Sequence, residues 1–216
     1  MAPTLYVIPA SSPVRAVLMT AKAIGLNLEL KTLDMSAGEH TTPEFLKLNP
    51  QHTVPTLVDE DGYVLWDSHA IMPYLLSKYG KDSSLYPSGL KERALVNQRL
   101  HFDSSVSFAK LLQIWLPIVH QGKKHVDPTD VEAVNEIYSF VESFLDGRKW
   151  VAGDSVTIAD FSTITTLTSL DVLVKIEATK YPDLVAYLKR AEGLPVYDVS
   201  KKGLDVFVSS VKQRLS

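Results

Sequence analysis

Thr4 to Ile8 is short, apolar and rich in strand-favouring residues, which predicts a buried strand. The period then changes. After Pro13, the apolar positions Val17, Leu18, Ala21 and Ile24 recur at helical spacing and run to Gly25, predicting a helix. Leu28 to Leu33 is strand-like again, so the opening of the chain predicts a βαβ unit, the usual source of a parallel strand pair with a right-handed crossover. Pro43 to Leu48 predicts a short helix. Thr56 to Asp59 and Tyr63 to Trp66 predict two strands joined through Asp61-Gly62, a dipeptide suited to a tight hairpin because glycine accepts positive φ. Ser68 to Tyr79 predicts a helix closed by Gly80. A βαβ unit followed by ββα is the order of a thioredoxin-like α/β fold.

Beyond Gly80 the pattern is turn-rich and polar, through Lys81-Asp82-Ser83-Ser84 to Gly89, and no convincing strand recurs after it. The expected organisation is a thioredoxin-like N-terminal domain over residues 1–80, a linker over 81–89 and an all-α C-terminal domain over 90–216. Helical periodicity predicts helices over about 91–119, 129–146, 157–173 and 182–193, followed by a less regular tail. Pro117 is expected to end or bend the first of these. Within Val156-Thr157-Ile158-Ala159-Asp160-Phe161, Thr157 and Asp160 have the spacing of a capping box, with Val156 and Phe161 as a hydrophobic staple.

Composition narrows the chemistry. With 45% hydrophobic and 22% charged residues over 216, the chain can bury a substantial core, which excludes a disordered or fibrous class. A net charge of −3 with dispersed lysines and arginines argues against nucleic acid as a partner. No apolar run reaches the roughly 18 residues of a membrane span and no targeting pattern opens the chain, so a soluble, cytoplasmic protein without a membrane partner is expected. The absence of cysteine removes disulfides, thiolate ligands and a cysteine nucleophile together, so any sulfur chemistry must use the substrate's own sulfur. The six histidines have no metal-ligand spacing, and no metal site is expected.

Four blocks then carry a family resemblance: Leu5-Tyr6-Val7-Ile8-Pro9-Ala10-Ser11-Ser12-Pro13-Val14-Arg15-Ala16; Gly38-Glu39-His40 with Leu48 to Thr56; Asp67-Ser68-His69-Ala70-Ile71; and Gly153-Asp154 with Thr157 to Asp160. In order and spacing the chain resembles the cytosolic glutathione transferases of the insect delta and epsilon classes. The stretch Leu100 to Phe108, and His69 where delta members generally have arginine, lean toward epsilon. Ala10 replaces the glycine common in delta members, and Asp67 replaces the usual glutamate.

This resemblance implies Ser11 as the catalytic residue and glutathione as co-substrate, with no other cofactor. A free thiol near pKa 8.5 is only a few per cent ionised at neutral pH, so stabilising the thiolate is the first requirement. A hydroxyl beside a helix N-terminus can supply that stabilisation. Ser12 competes for the role, but it directly precedes Pro13. With proline at the first helical position, Ser12 becomes the natural N-cap and Ser11 is left free. Tyr6 reads as a buried strand residue.

For glutathione itself, the resemblance implies a cis peptide before Pro55 that turns the Val54 backbone toward the cysteinyl amide, within Thr53-Val54-Pro55. Asp67 and Ser68 are expected to meet the γ-glutamyl ammonium and carboxylate at a helix start. His40 and His52 are assigned to the glycyl carboxylate or the peptide, and His69 to the ligand or a neighbouring subunit.

On the electrophile side, Phe108, Leu111, Leu112 and Trp115 share an apolar helix face at i, i+3, i+4, i+7 spacing. With Phe207 from the tail, they are assigned to the site for small hydrophobic electrophiles. Asp103 and Lys110 read as solvated or interface residues. The resemblance also implies a homodimer, packed through the helices that begin at Ser68 and Leu90, and a detoxifying role toward xenobiotics or lipid-peroxidation products. Peroxide reduction and dehydrohalogenation begin from the same thiolate. A non-catalytic carrier of steroids or haem is the alternative.

Overall fold

The computed structural model describes residues 2–215, so the outermost positions of the two expected domains, Met1 and Ser216, lie outside the described residues. β1 (Thr4–Val7), α1 (Ser12–Ala23) and β2 (Glu29–Thr32) form the expected βαβ unit, with β1 and β2 parallel. A short helix, α2 (Pro43–Leu48), leads to the hairpin of β3 (Thr56–Val58) and β4 (Val64–Trp66), followed by α3 (Ser68–Tyr79). The strand order is β2-β1-β3-β4, with β3 antiparallel to both β1 and β4. Leu5 lies opposite Leu30 on one side and Leu57 on the other. Leu5 and Leu57 are fully buried, a gain of roughly 1.5–3 kcal/mol for each side chain removed from water.

Gly62 adopts φ +84° in the hairpin, as that turn requires. Gly80 is glycine for a different reason. Its φ is −69°, yet a side chain there would begin 2.4 Å from the Leu76 carbonyl oxygen.

Between Gly80 and Gly89 the chain forms no helix or strand. α4 (Leu90–Phe102) and α5 (Phe108–His120) follow, then α6 (Pro128–Leu145), α7 (Ile158–Leu173), α8 (Pro182–Glu192) and α9 (Tyr197–Leu215). The thioredoxin-like sheet with an all-helical second half is the fold class expected.

Two local expectations are corrected, and a third, that Pro117 ends or bends its helix, is narrowed. The helix expected over 91–119 is interrupted by a π-turn at Asp103–Ser107, where an extra residue is accommodated and α4 passes into α5. Pro117 does not end α5, which continues to His120. The missing N–H of Pro117 leaves the carbonyl of Gln113 without its helical donor, but Gln113 is exposed and water can replace the bond. The tail is a regular helix: Ser200, Gly203, Phe207 and Val211 form its buried stripe. Two of these four are serine and glycine, so the stripe carries little hydrophobic signal.

α7 is the central element. Nearly every residue from Ile158 to Leu170 is buried, including Thr165 and Ser169, whose hydroxyls bond back to the Ser162 and Thr165 carbonyls. Its start is the expected capping box. Asp160 accepts from Thr157 N at 2.8 Å and also from Val151 N at 2.9 Å, tying the preceding loop to the helix. α1 packs on α3 within its own half and on α7 and α9 across the boundary, so the helix that follows Ser11 is held from both sides.

Candidate functional site

Ser11 closes the turn after β1, its N–H donating to the Ile8 carbonyl at 3.0 Å, and its own carbonyl accepts from Arg15 N at 3.0 Å. It occupies the N-cap position of α1, and its hydroxyl makes no capping bond. Here the sequence argument is corrected: Ser12 is the first residue of α1 rather than its cap. Its hydroxyl is buried and has no hydrogen-bond partner. Proline is tolerated at the second helical position as well as the first, because the N–H groups of that turn are unpaired in any case, so the helix begins one residue earlier than Pro13 suggested.

A cleft of about 170 Å³ opens beside Pro13 of α1. Thr53, Val54 and Pro55 line one wall, Asp67, Ser68 and His69 another, and Asp103 and Phe108 close it from the helical half. The Val54–Pro55 peptide is cis. Asn49 holds this loop: fully buried, it donates through Nδ2 to Thr53 O and Thr53 Oγ1, both at 3.0 Å, and to Thr56 Oγ1 at 2.9 Å. Its Oδ1 accepts from Gln51 N at 2.9 Å, leaving neither amide atom unused.

Asp67 adopts φ +72°, and its carboxylate accepts from His69 N at 2.7 Å, capping α3. Ser68 is buried at the first position of that helix. The N-terminus of α3 therefore opens on the cleft, and the positive end of its dipole favours a carboxylate there.

His69 turns its ring toward the helical half. Nε2 lies 2.6 Å from Ser162 Oγ, and Ser162 Oγ donates to Asp103 Oδ2 at 2.6 Å, which makes His69 Nε2 the donor in a relay from imidazole to hydroxyl to carboxylate. Thr166 Oγ1 also donates to Asp103 Oδ2, at 3.3 Å. Asp103 is 4% exposed and its Oδ1 has no partner, so it is neither solvated nor an ordinary surface charge. The π-turn brings it inward. Asp103, Ser162, Thr166 and Asn49 were the residues missed as parts of the site. Asn49, inside a quoted block and followed by Pro50, left a trace in the sequence; Asp103 lay in the stretch Leu100 to Phe108 but read as a solvated or interface residue.

Other assigned residues lie apart. Ser11, His40 and His52 do not line the enclosed part of the cleft. The two histidine rings lie with centroids 5.9 Å apart and planes tilted by 58°, and His40 Nδ1 is buried without a partner. On α5 the deepest face is Leu111, Ile114 and Ile118, so the expected face sits rotated toward the rim. Phe108, Leu112 and Trp115 are half-buried there, Leu111 is core, and Phe207 is core beneath Trp115 with ring centroids 4.8 Å apart. Lys110 pairs with Asp130 at 3.3 Å. Among the described residues no group of histidine and acidic side chains could hold a metal, and no helix is long and apolar enough to cross a membrane.

A thioredoxin-like half that offers a cis-proline edge and an open helix start, covered by an all-helical half, defines a class of proteins with a cleft where the two halves meet. Models of the N-terminal and C-terminal domains of glutathione S-transferase match residues 1–77 and 94–195, and the chain belongs to that family of enzymes, which use glutathione as co-substrate. It is 42% identical to glutathione S-transferase 1 of Manduca sexta, over the whole of both chains. Among solved structures it is similar to an epsilon-class enzyme of the housefly, Musca domestica, at 46% identity and TM-score 0.95, covering 98% of each chain. It is also similar to a glutathione transferase homolog from Drosophila mojavensis with bound glutathione, at 47% identity and TM-score 0.95, covering 99% of this chain and 97% of that one. The epsilon likeness agrees with the expectation drawn from Leu100–Phe108 and His69.

Proposed function

We propose that the protein conjugates glutathione to small hydrophobic electrophiles, with Ser11 donating a hydrogen bond to the thiolate at the start of α1. The observation that carries this reading is the uncommitted Ser11 hydroxyl at an N-cap, where it adds to the unpaired N–H groups of the helix. Thr53, Val54 and Pro55 offer main-chain partners to the cysteinyl unit, and Asp67 and Ser68 receive the γ-glutamyl end. Asp67 has already committed one carboxylate oxygen to capping, which leaves the other for an ammonium. His40 and His52 serve the glycyl carboxylate, and His40 Nδ1 has no competing protein partner. Phe108, Leu112 and Trp115 border the electrophile, with Leu111 and Phe207 supporting them from the core.

In this reading residues 1–80 form the glutathione domain, 81–89 the linker and 90–216 the electrophile domain. The protein works as a cytoplasmic homodimer packed through α3 and α4, in the disposal of reactive xenobiotics. The test is conjugation of an aromatic halide by the purified protein. Ser11→Ala is expected to lower kcat/KM by about 100–1000-fold, the range for losing a donor to a developing anion. Wild-type protein that binds apolar dyes tightly but shows no turnover would instead make it a carrier.

A further inference from the structure

Arg15 is fully buried, and none of the ion pairs among the described residues includes it. Its Nη2 donates to the Thr165 carbonyl and, at 2.9 Å, to Thr168 Oγ1, both on α7. Nε and Nη1 have no partner. Burial draws its pKa down to about 10, with the phenol of Tyr197 pulling the other way, so the guanidinium stays charged at neutral pH.

A buried charge without a counter-ion is costly, and an apolar side chain of similar volume would avoid the penalty. The helix adds to the cost: Arg15 stands at the first turn of α1, whose N-terminal end already carries positive partial charge. What the position supplies is proximity to Ser11. Helical side chains slant toward the N-terminus. The Pro9 carbonyl oxygen and Arg15 Cδ lie 2.2 and 2.8 Å from the point where a side chain on Gly203 would begin, so the stem of Arg15 runs beside the turn that presents Ser11. Ser12, three residues earlier on the same face, is uncharged and offers no compensation.

We infer that Arg15 is a positioning residue for the reaction, an uncompensated buried cation whose field joins that of the α1 N-terminus in favouring thiolate over thiol. This rests on the reading that the thiol is seated at Ser11, and it assigns part of the activation to charge. A unit positive charge about 10 Å from a thiol, at an effective dielectric of about 20, would lower the thiol pKa by roughly one unit.

The test is a pH titration of the thiolate absorbance of bound glutathione in the full-length protein, with the pH profile of kcat/KM alongside. Arg15→Met is expected to raise the thiol pKa by about one unit, cutting kcat/KM about tenfold at pH values below it, while Arg15→Lys restores most of the shift. Because Arg15→Met removes buried hydrogen bonds and can unfold the protein, Thr168→Asp provides a second route. It sets a carboxylate against Nη2 and cancels the charge without removing the arginine. The same upward shift is expected for Thr168→Asp, and none for the uncharged control Thr168→Asn. A thiol pKa at the wild-type value in Thr168→Asp, or in folded Arg15→Met, overturns the inference. Ser11→Ala separates the two readings: an unshifted pKa there defeats the hydroxyl assignment, whereas the response of Thr168→Asp still decides the role of Arg15.

Discussion

His69 on α3 and Ser162 on α7 are joined by a 2.6 Å hydrogen bond that crosses from the thioredoxin-like half to the helical half. Behind it stands Asp103, which accepts from Ser162 and Thr166 and is almost wholly buried. The cleft wall at Asp67-Ser68-His69 is therefore held in place by the opposite half of the molecule. Ser162→Ala removes the middle of the relay and leaves the Asp103 carboxylate with Thr166 Oγ1 at 3.3 Å and His69 Nε2 at 3.4 Å. A stability loss of about 1–3 kcal/mol is expected, with a melting temperature roughly 2–12 °C lower. KM for glutathione is expected to rise because the wall loosens. Calorimetry and steady-state kinetics check the two effects, and an unchanged KM beside a lowered melting temperature would confine the relay to folding.

Asn49 gives a second such test on the other wall. Its amide makes three donor contacts and one acceptor contact within the loop that carries Thr53, Val54 and Pro55. Asn49→Ala strands several buried partners at once, and a loss of about 2–4 kcal/mol follows if they are only partly rehydrated. KM for glutathione should rise more than kcat falls, if the loop binds the peptide as proposed rather than the electrophile. Asn49→Asp, which keeps the acceptor and loses the donors, is expected to fail similarly. A wild-type KM in either variant counts against the loop as a binding element.

How much of this was legible in the sequence follows from what each residue must do to be noticed. Pro43, Asp61-Gly62 and the Thr157/Asp160 pair act on their own local backbone, and local chemistry shows in a local pattern. α2, the β3–β4 turn and the start of α7 all stand where that pattern put them. Asp103 acts through contacts with residues 59 and 63 positions away, and nothing in Phe102-Asp103-Ser104 distinguishes a buried carboxylate from a surface one. The π-turn that swings it inward has no sequence signature of its own. The structure matches only part of the reason that singled out Ser11: its hydroxyl makes no capping bond, but Ser11 rather than Ser12 holds the cap position.

Gly203 belongs to the same category of distant cause. Its φ is ordinary and no turn requires it, yet a side chain there would begin 2.2 Å from the Pro9 carbonyl oxygen. Backbone cannot yield as a flexible side chain can, so Gly203→Ala must push α9 away from the Ile8–Ser11 turn. The expected cost is about 1–3 kcal/mol, the usual range for overpacking, or a melting temperature some 2–12 °C lower. Because Phe207 moves with α9 and packs against Trp115 of α5, the KM for the electrophile should change as well. A variant as stable as wild type would show that α9 is not seated as described.

Asp59 makes stability depend on acidity in a direction that can be fixed in advance. The residue is buried at the end of β3, where it accepts from Tyr74 and Tyr79 and, at 2.7 and 2.8 Å, from Lys78 Nζ and Glu60 N. Burial alone would raise its pKa. The bonds from Lys78, Tyr74, Tyr79 and Glu60 outweigh burial and hold the carboxyl well below the usual range. The unfolded chain therefore takes up a proton at a higher pH than the folded one. The stabilisation is fully present above the ordinary carboxylate pKa and is lost progressively as pH falls below it toward the depressed folded value. Asp59→Asn removes this dependence. The variant should be less stable than wild type at pH 7, and the gap between the two unfolding midpoints should narrow steadily as the pH falls below about 4. Urea denaturation across that range measures it. A gap that stayed constant would mean that Asp59 is held by packing rather than by its charge.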